Sequence, residues 1–306
     1  VNVFVAGGTG VLGRAALGAL VDAGHRVSAT ARGPGKAALV RGLGGEPVEV
    51  DLYDSAAVRR AVAGCEAVLR LTTRIPPASE MGRPGVWDET NRLRTEGARV
   101  LVDAALAAGA AVYVHESIVF VYADAGAAWI TEEAATDVAG SAVLEAALGG
   151  EEEAARFARS GGRGVVLRFG RLYGPVEPFT LDVIAQARRG ALEVAGAGGH
   201  YTPWIYVPDA GCAVAASLDA PSGTYNVCDD EPVPLADYLH AVATALGAPP
   251  SRRRPPRDEE AAVAPRASLR RSLRVSNARF KAATGWAPVV RNARDGWRLI
   301  AGSVLG

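Results

Sequence analysis

The residues with the clearest chemical potential stand at the start of the chain. Gly7, Gly10 and Gly13 recur at three-residue spacing, and Gly8-x-Gly10-x-x-Gly13 overlaps them. Glycine tolerates the tight turn this spacing implies and lets backbone N–H groups approach a bound pyrophosphate. An apolar run over 1–6 precedes the glycines, and a helical pattern over 11–23 follows them. A strand, a glycine turn and a helix N-terminus together offer orphan donors and the positive end of a dipole to an anion. Thr9, Val11 and Leu12 complete the expected cradle, and a tight turn without a ligand is the alternative.

The next strand speaks to which dinucleotide. A site for an unphosphorylated ribose places Asp or Glu ~20 residues beyond the glycines. No acidic residue occurs between Ala23 and Gly45, whereas Arg32 ends the strand and Lys36 follows. A guanidinium suits a 2′-phosphate by charge-assisted bonding, so the expected cofactor is NADPH. An ordinary surface arginine is the other reading of Arg32. Asp51-Leu52 after the third strand suits an adenine amino group, or else Asp51 caps the next turn. Leu71, Thr72 and Thr73 end the fourth strand, where they would line the cofactor.

These residues need elements to hold them. Short apolar runs at 1–6, 26–31, 48–50, 67–72, 111–117 and 165–169 read as strands. Helical patterns at 11–23, 55–63, 88–108 and 151–160 lie between them, several closed by glycine. Strands alternating with helices predict an α/β fold: a Rossmann doubly wound parallel sheet with helices on both faces. After Gly170 the rhythm changes, predicting a smaller C-terminal substrate lobe over 171–306, interleaved with a dinucleotide-binding domain over 1–170. The stretch 249–274, rich in Pro and Arg, reads as a solvated loop or as a basic flap over an anionic ligand.

Composition narrows the function. Lys plus Arg equals Asp plus Glu at 33 each, so no overall field favours nucleic acid or an acidic membrane. Three separated cysteines and four scattered histidines predict neither a disulfide framework nor a metal site. No run of ~18 apolar residues predicts a membrane span, and the first residues read as a strand rather than a leader. A cytoplasmic protein, monomeric or homodimeric, with a small-molecule partner is expected. Only Lys36 and Lys281 are lysines, an arginine bias that suits a GC-rich bacterial genome.

Taken in order, the motifs resemble the extended branch of the short-chain dehydrogenase/reductase family, the NAD-dependent epimerase/dehydratase type. Gly7–Gly13 resembles its glycine motif and Asp51-Leu52 its adenine clamp. Asn91 with Arg94-Thr95-Glu96-Gly97 resembles its structural asparagine region. Leu167-Arg168-Phe169-Gly170-Arg171-Leu172-Tyr173-Gly174-Pro175 resembles the strand and loop that meet the nicotinamide, Phe169 included. Ile205–Ala210, Gly223–Val227 and Gly285–Pro288 continue the likeness. The resemblance implies a cofactor-dependent redox enzyme whose chemistry uses Tyr-x-x-x-Lys after the fifth strand.

That pair is missing. Arg32 precedes Lys36 by four residues and Asn277 precedes Lys281, so no Tyr-x-x-x-Lys occurs anywhere. Counting back from Glu151 places the pair at Val143 and Ala147, both apolar. The family's Ser/Thr falls on Ile118 by ungapped counting to Tyr122, with Ser117 one residue earlier as the catalytic and cofactor-contacting candidate, or a plain strand-end serine.

A positioned acid contributes roughly 10²–10⁴-fold, and a near-attack pose ~7–11 kcal/mol. A reductase can therefore lose its tyrosine if the substrate is easily reduced or brings its own donor. The expectation is an NADPH-dependent ketoreductase acting on a ketone or quinone of an aromatic, angucyclinone-like polyketide in antibiotic biosynthesis, with the proton from substrate or solvent. Tyr113, Tyr122, Tyr173, Phe179, His200, Tyr201 and Trp204 are its candidate substrate wall, or else aromatic core. Of these, Tyr113, Tyr122, His200 and Tyr201 double as reserve proton donors. A cofactor-binding sensor or scaffold without catalysis is the alternative. Sugar-nucleotide epimerisation or dehydration fits less well, because oxidising an unactivated alcohol demands a strong base.

Overall fold

The computed structural model describes residues 1–255 and 269–305. Seven strands make one parallel sheet: β1 (Asn2–Ala6), β2 (Arg26–Thr30), β3 (Glu46–Val48), β4 (Ala67–Arg70), β5 (Val112–Ile118), β7 (Arg163–Phe169) and β12 (Gly223–Val227). Their order is β12-β7-β5-β4-β1-β2-β3, and every pair is parallel. The doubly wound fold follows from the buried strands: β4 and nearly all of β1 and β7 carry residues buried on both faces. The last strand, β12, comes from the second half of the chain and adds to β7 at the edge.

Alternation along β1 divides the core. Val3 and Val5 join Leu17, Leu20, Leu69, Val114 and Val214 beneath α1 (Val11–Asp22) and α8 (Val207–Ala216). Phe4 points the other way, to Val62, Leu101, Tyr113 and Phe157. These come from α3 (Ser55–Val62), α5 (Ala98–Ala107), β5 and α6 (Ala142–Arg159). Asp54 starts α3 by accepting from the Ala56 and Ala57 N–H groups.

Several boundaries differ from the expectation. The third strand lies at Glu46–Val48, not 48–50, and α2 (Pro34–Gly42) is a helix the polar pattern concealed. The helix expected at 151–160 begins at Ala142, because Gly149 and Gly150 interrupt its apolar pattern. Gly150 has a packing reason: a Cβ there would sit 2.7 Å from the Arg94 carbonyl oxygen and against the His115 ring. The helix expected over 88–108 is not continuous. Between α4 (Asp88–Arg92) and α5 the chain widens into a π-helical turn, Leu93–Gly97.

The remaining elements build the second lobe. β8 (Arg171–Tyr173) pairs in parallel with β11 (Trp204–Tyr206), placing Arg171 opposite Trp204. β9 (Glu193–Ala195) takes β14 (Arg252–Arg254), β10 (Tyr201–Thr202) takes β13 (Val233–Pro234), and β6 (Trp129–Ile130) takes β15 (Arg274–Val275). α7 (Pro178–Arg188), α9 (Leu235–Leu246) and α11 (Ala293–Leu305) enclose a third core of Tyr173, Trp204, Tyr238 and Trp297. α10 (Ala278–Thr284) lays Phe280 under Tyr225 and Trp286. Within the Pro/Arg stretch of 249–274, residues 256–268 lie outside the described residues. Its ends form β14 and begin β15, and Arg271 bonds Asp137 at 2.7 Å.

Candidate active site

A cleft of about 1050 Å³ opens along the carboxyl ends of the sheet strands. This is where doubly wound sheets bind ligands, at the reversal of strand order beside β1.

The glycine turn forms one end. Gly7 has φ +101°, a left-handed backbone that favours glycine. A Cβ on Gly7 would lie 2.7 Å from the Leu71 oxygen, and one on Gly13 would collide with the Gly7 carbonyl. Gly7 thus lets the turn pass against the end of β4 and Gly13 lets α1 rest directly on the turn, while Gly7, Thr9, Gly10, Val11 and Leu12 line the cleft. Gly13 does not line it; its part is packing. Thr30, absent from the sequence expectation as a site residue, accepts the Gly7 N–H at 2.8 Å and fixes the turn. It lies in the strand end that gave Arg32, so strand position was the available signal.

Arg32 and Lys36 line the cleft, are exposed, and have no side-chain hydrogen bond or ion pair among the described residues. Asp51 and Leu52 line it too, with Asp51 accepting the Tyr53 N–H at 3.0 Å. The two readings of Asp51 are compatible: it makes a local turn and faces the cleft. Tyr53 was not anticipated. Burial first, and then the neighbouring Glu89 carboxylate, push its phenol up to about 12, and its hydroxyl donates to Glu89 at 3.2 Å. Leu71, Thr72 and Thr73 line the cleft past the end of β4. These groups fit a dinucleotide: backbone donors at a glycine turn, a polar floor and unpaired cations at the ribose end.

Farther along, Glu116, Ile118, Phe120, Val143, Leu144 and Phe169 face the cleft. Ser117 does not, which corrects its expected role. Side chains alternate along β5, so Glu116 and Ile118 share the cleft side while Ser117 turns beneath α6. There its hydroxyl donates to Glu151 at 2.5 Å, and Glu151 is held by Arg168 at 2.6 and 2.9 Å. Glu116 pairs with the wholly buried Arg70 at 3.0 Å, and Arg94 stands 3.9 Å away with its Nε unbonded. Burial lowers the Arg94 pKa, opposed by Glu116. Asn91 does not line the cleft; its Oδ1 is buried without a partner among the described residues, while Glu89, Leu93 and Arg94 from the same segment do line it.

The aromatic expectation divides in the same way. Phe179 and Trp204 line the cleft, joined by Tyr238, Trp87 and Met81. Tyr113, Tyr122, Tyr173, His200 and Tyr201 do not, a correction to the expected wall. Tyr113 is in the sheet core, and burial raises its pKa. Tyr122 donates to Asn226 at 2.8 Å and Tyr173 to Asp229 at 3.2 Å. His200 has its pKa lowered by burial, then by Arg270, and Tyr201 lies near Arg274. His115, likewise buried, is held neutral by desolvation and by Arg70. Tyr238 stacks flat on Trp204, with centroids 3.7 Å apart, and burial raises its phenol as well.

No helix among the described residues is long and apolar enough to cross a membrane, and no group of His, Cys, Asp or Glu among them is arranged to hold a metal.

The sheet order, glycine cradle and cleft define a Rossmann-type dinucleotide-binding fold. The pattern of the NAD dependent epimerase/dehydratase family matches residues 3–228, and the chain belongs to that family. A 3-diazoavenalumate denitrifying reductase from a Streptomyces species is 36% identical over 312 residues, covering 96% of this chain and 98% of that protein. A 2-alkyl-3-oxoalkanoate reductase from Shewanella oneidensis is 27% identical over 280 residues, covering 83% of this chain and 68% of that protein. The fold matches a human epimerase family protein solved with NADPH at TM-score 0.82 and 22% identity, over 99% of this chain and 100% of that one.

Proposed function

We propose that this protein is an NADPH-dependent reductase for an aromatic small molecule whose acceptor group takes no proton from the enzyme. The observation that carries it is the apolar wall of Ile118, Val143 and Leu144 in the cleft, where the family resemblance puts hydroxyl and phenol. A nicotinamide bound in the cleft supplies hydride. The chain's own residues bind, orient and exclude water. Arg32 and Lys36 hold the phosphorylated ribose, and Phe179, with Trp204 beside it, gives a flat ligand an apolar wall.

Ammonium is equally absent from the reaction end. Lys281 is paired with Asp230 at 2.8 Å and Lys36 is at the ribose end. The cleft tyrosines, Tyr53 and Tyr238, both have raised pKa values and no lysine to lower them.

One acceptor that meets the condition is a ketone or quinone of an angucyclinone-like aromatic polyketide with a neighbouring hydroxyl. Hydride adds to carbon, the hydroxyl proton passes to oxygen, and water restores it. The 36% identical relative favours a second acceptor, the diazo group its name contains. There hydride replaces nitrogen on carbon and dinitrogen leaves, so no protein acid is required. Both relatives are named for carboxylates.

The test incubates the protein with NADPH and two panels, peri-hydroxy quinones or ketones and hydroxyaryl diazo compounds, following nicotinamide absorbance and product mass. Consumption with either panel, and none with sugar nucleotides, is expected. No consumption with any of them overturns the reductase reading.

A further inference from the structure

Arg171 is a cation with no ion-pair partner among the described residues. It lines the cleft at the start of β8, one residue past Gly170 and two past Phe169, and is only partly buried. Its guanidinium has no side-chain hydrogen bond and no ion pair among the described residues. Its closest ring is that of Trp204: Cζ lies 5.1 Å from the centroid of the indole, which itself stacks on Tyr238.

The nearby carboxylates compensate it only in part: Glu177 acts on it through space but forms no ion pair with it. Glu177 lines the same wall, but its oxygens accept from the Phe179 N–H at 3.0 Å, the Thr180 N–H at 2.7 Å and the Thr180 hydroxyl at 2.9 Å. That carboxylate is the N-cap of α7. Asp182 is exposed at the rim. On the far side His200 carries no compensating charge, its pKa lowered by burial and the nearby arginines. Desolvation lowers the Arg171 pKa too, yet a guanidinium stays charged in proteins. An unpaired, partly desolvated cation is costly to keep unless a ligand completes it.

We propose that Arg171 anchors a carboxylate of the substrate, which makes the substrate class an aromatic carboxylic acid. The guanidinium fork takes the carboxylate while the ring extends along Trp204 towards Phe169. This inference rests on the reductase reading for its meaning, but its test does not need turnover.

The NADP-loaded protein is titrated with 4-hydroxycinnamate and 6-hydroxy-2-naphthoate, each against its primary amide, by calorimetry and tryptophan fluorescence. At least one acid should bind about tenfold or more tightly than its amide, as expected of charge-assisted bonds. Arg171→Met, which retains the stem over Trp204, should erase the difference, and Arg171→Lys should retain part of it. Circular dichroism and NADP affinity confirm that each variant is folded. Equal binding of acid and amide, binding of neither, or a preference that survives Arg171→Met overturns the proposal. Acid-selective binding without NADPH consumption in any panel leaves the anchor standing and removes the reductase reading instead.

Discussion

Arg32 and Lys36 line the cleft without an ion pair among the described residues, and no acidic residue occurs between Ala23 and Gly45. Arg32→Ala should therefore weaken NADPH binding about tenfold or more and leave NADH nearly unchanged, since a charge-assisted fork contributes ~1.5–3 kcal/mol. Fluorescence titration of both cofactors checks this; a parallel loss for both would show that Arg32 reads something other than the 2′-phosphate. At this scale the sequence was legible where charge or backbone geometry decides. Gly7, with its positive φ, and Arg32, after a strand without carboxylates, stand at the cleft where the sequence put them. Ser117 was not legible, because one residue of strand register sends it to Glu151 rather than to the cleft. Nor were Tyr122 and Tyr173, whose type suits a pocket wall and a core equally. Their hydroxyls are taken by Asn226 and Asp229, over a hundred and over fifty residues away in sequence.

Elements were more legible than side chains. The strands of the main sheet are buried on both faces, so they appear as short apolar runs, and the glycines after α1, α3 and α5 mark helix ends at φ +83°, +73° and +67°. What escaped lacks that contrast: α2 shows little apolar pattern, and β12 reads as part of the second lobe until its pairing with β7 is seen. One joint between the halves depends on a missing side chain. Gly211 of α8 packs so closely on α1 that a Cβ would meet the Ala15 carbonyl oxygen at 2.6 Å. Gly211→Ala should push the helices apart and cost about 1–3 kcal/mol, read as a lower urea midpoint at unchanged m-value. An unchanged midpoint would mean that the helices slide past each other without strain.

Across the whole molecule, stability carries a pH signature from the second lobe. Burial raises the Asp229 pKa well above its ordinary value, and its Oδ1 is buried with no partner among the described residues. The folded state therefore holds a proton that the unfolded chain releases above roughly pH 4. Stability from this group is fully present below that pH and declines as pH rises towards the folded value. Asp229→Asn should then raise stability at pH 8 by about 1 kcal/mol or more, with the gain vanishing near pH 4 in calorimetric scans. A variant less stable at pH 8 than at pH 4, relative to the parent, would reverse the sign and remove Asp229 as the source.

The widened turn at Leu93–Gly97 constrains the cleft through chain length. Each helical residue advances about 100° around the axis, and a π turn absorbs one residue that a regular helix has no room for. Glu89 can thereby look into the cleft while Leu93, Leu101 and Ala105, on the same rod, join the core against the sheet, Leu93 also reaching the cleft wall. Loss of a single residue in that turn would rotate the cleft's rim against its foundation, whatever amino acids remained. Substitution there alters a contact, whereas deletion alters the phase of the whole wall.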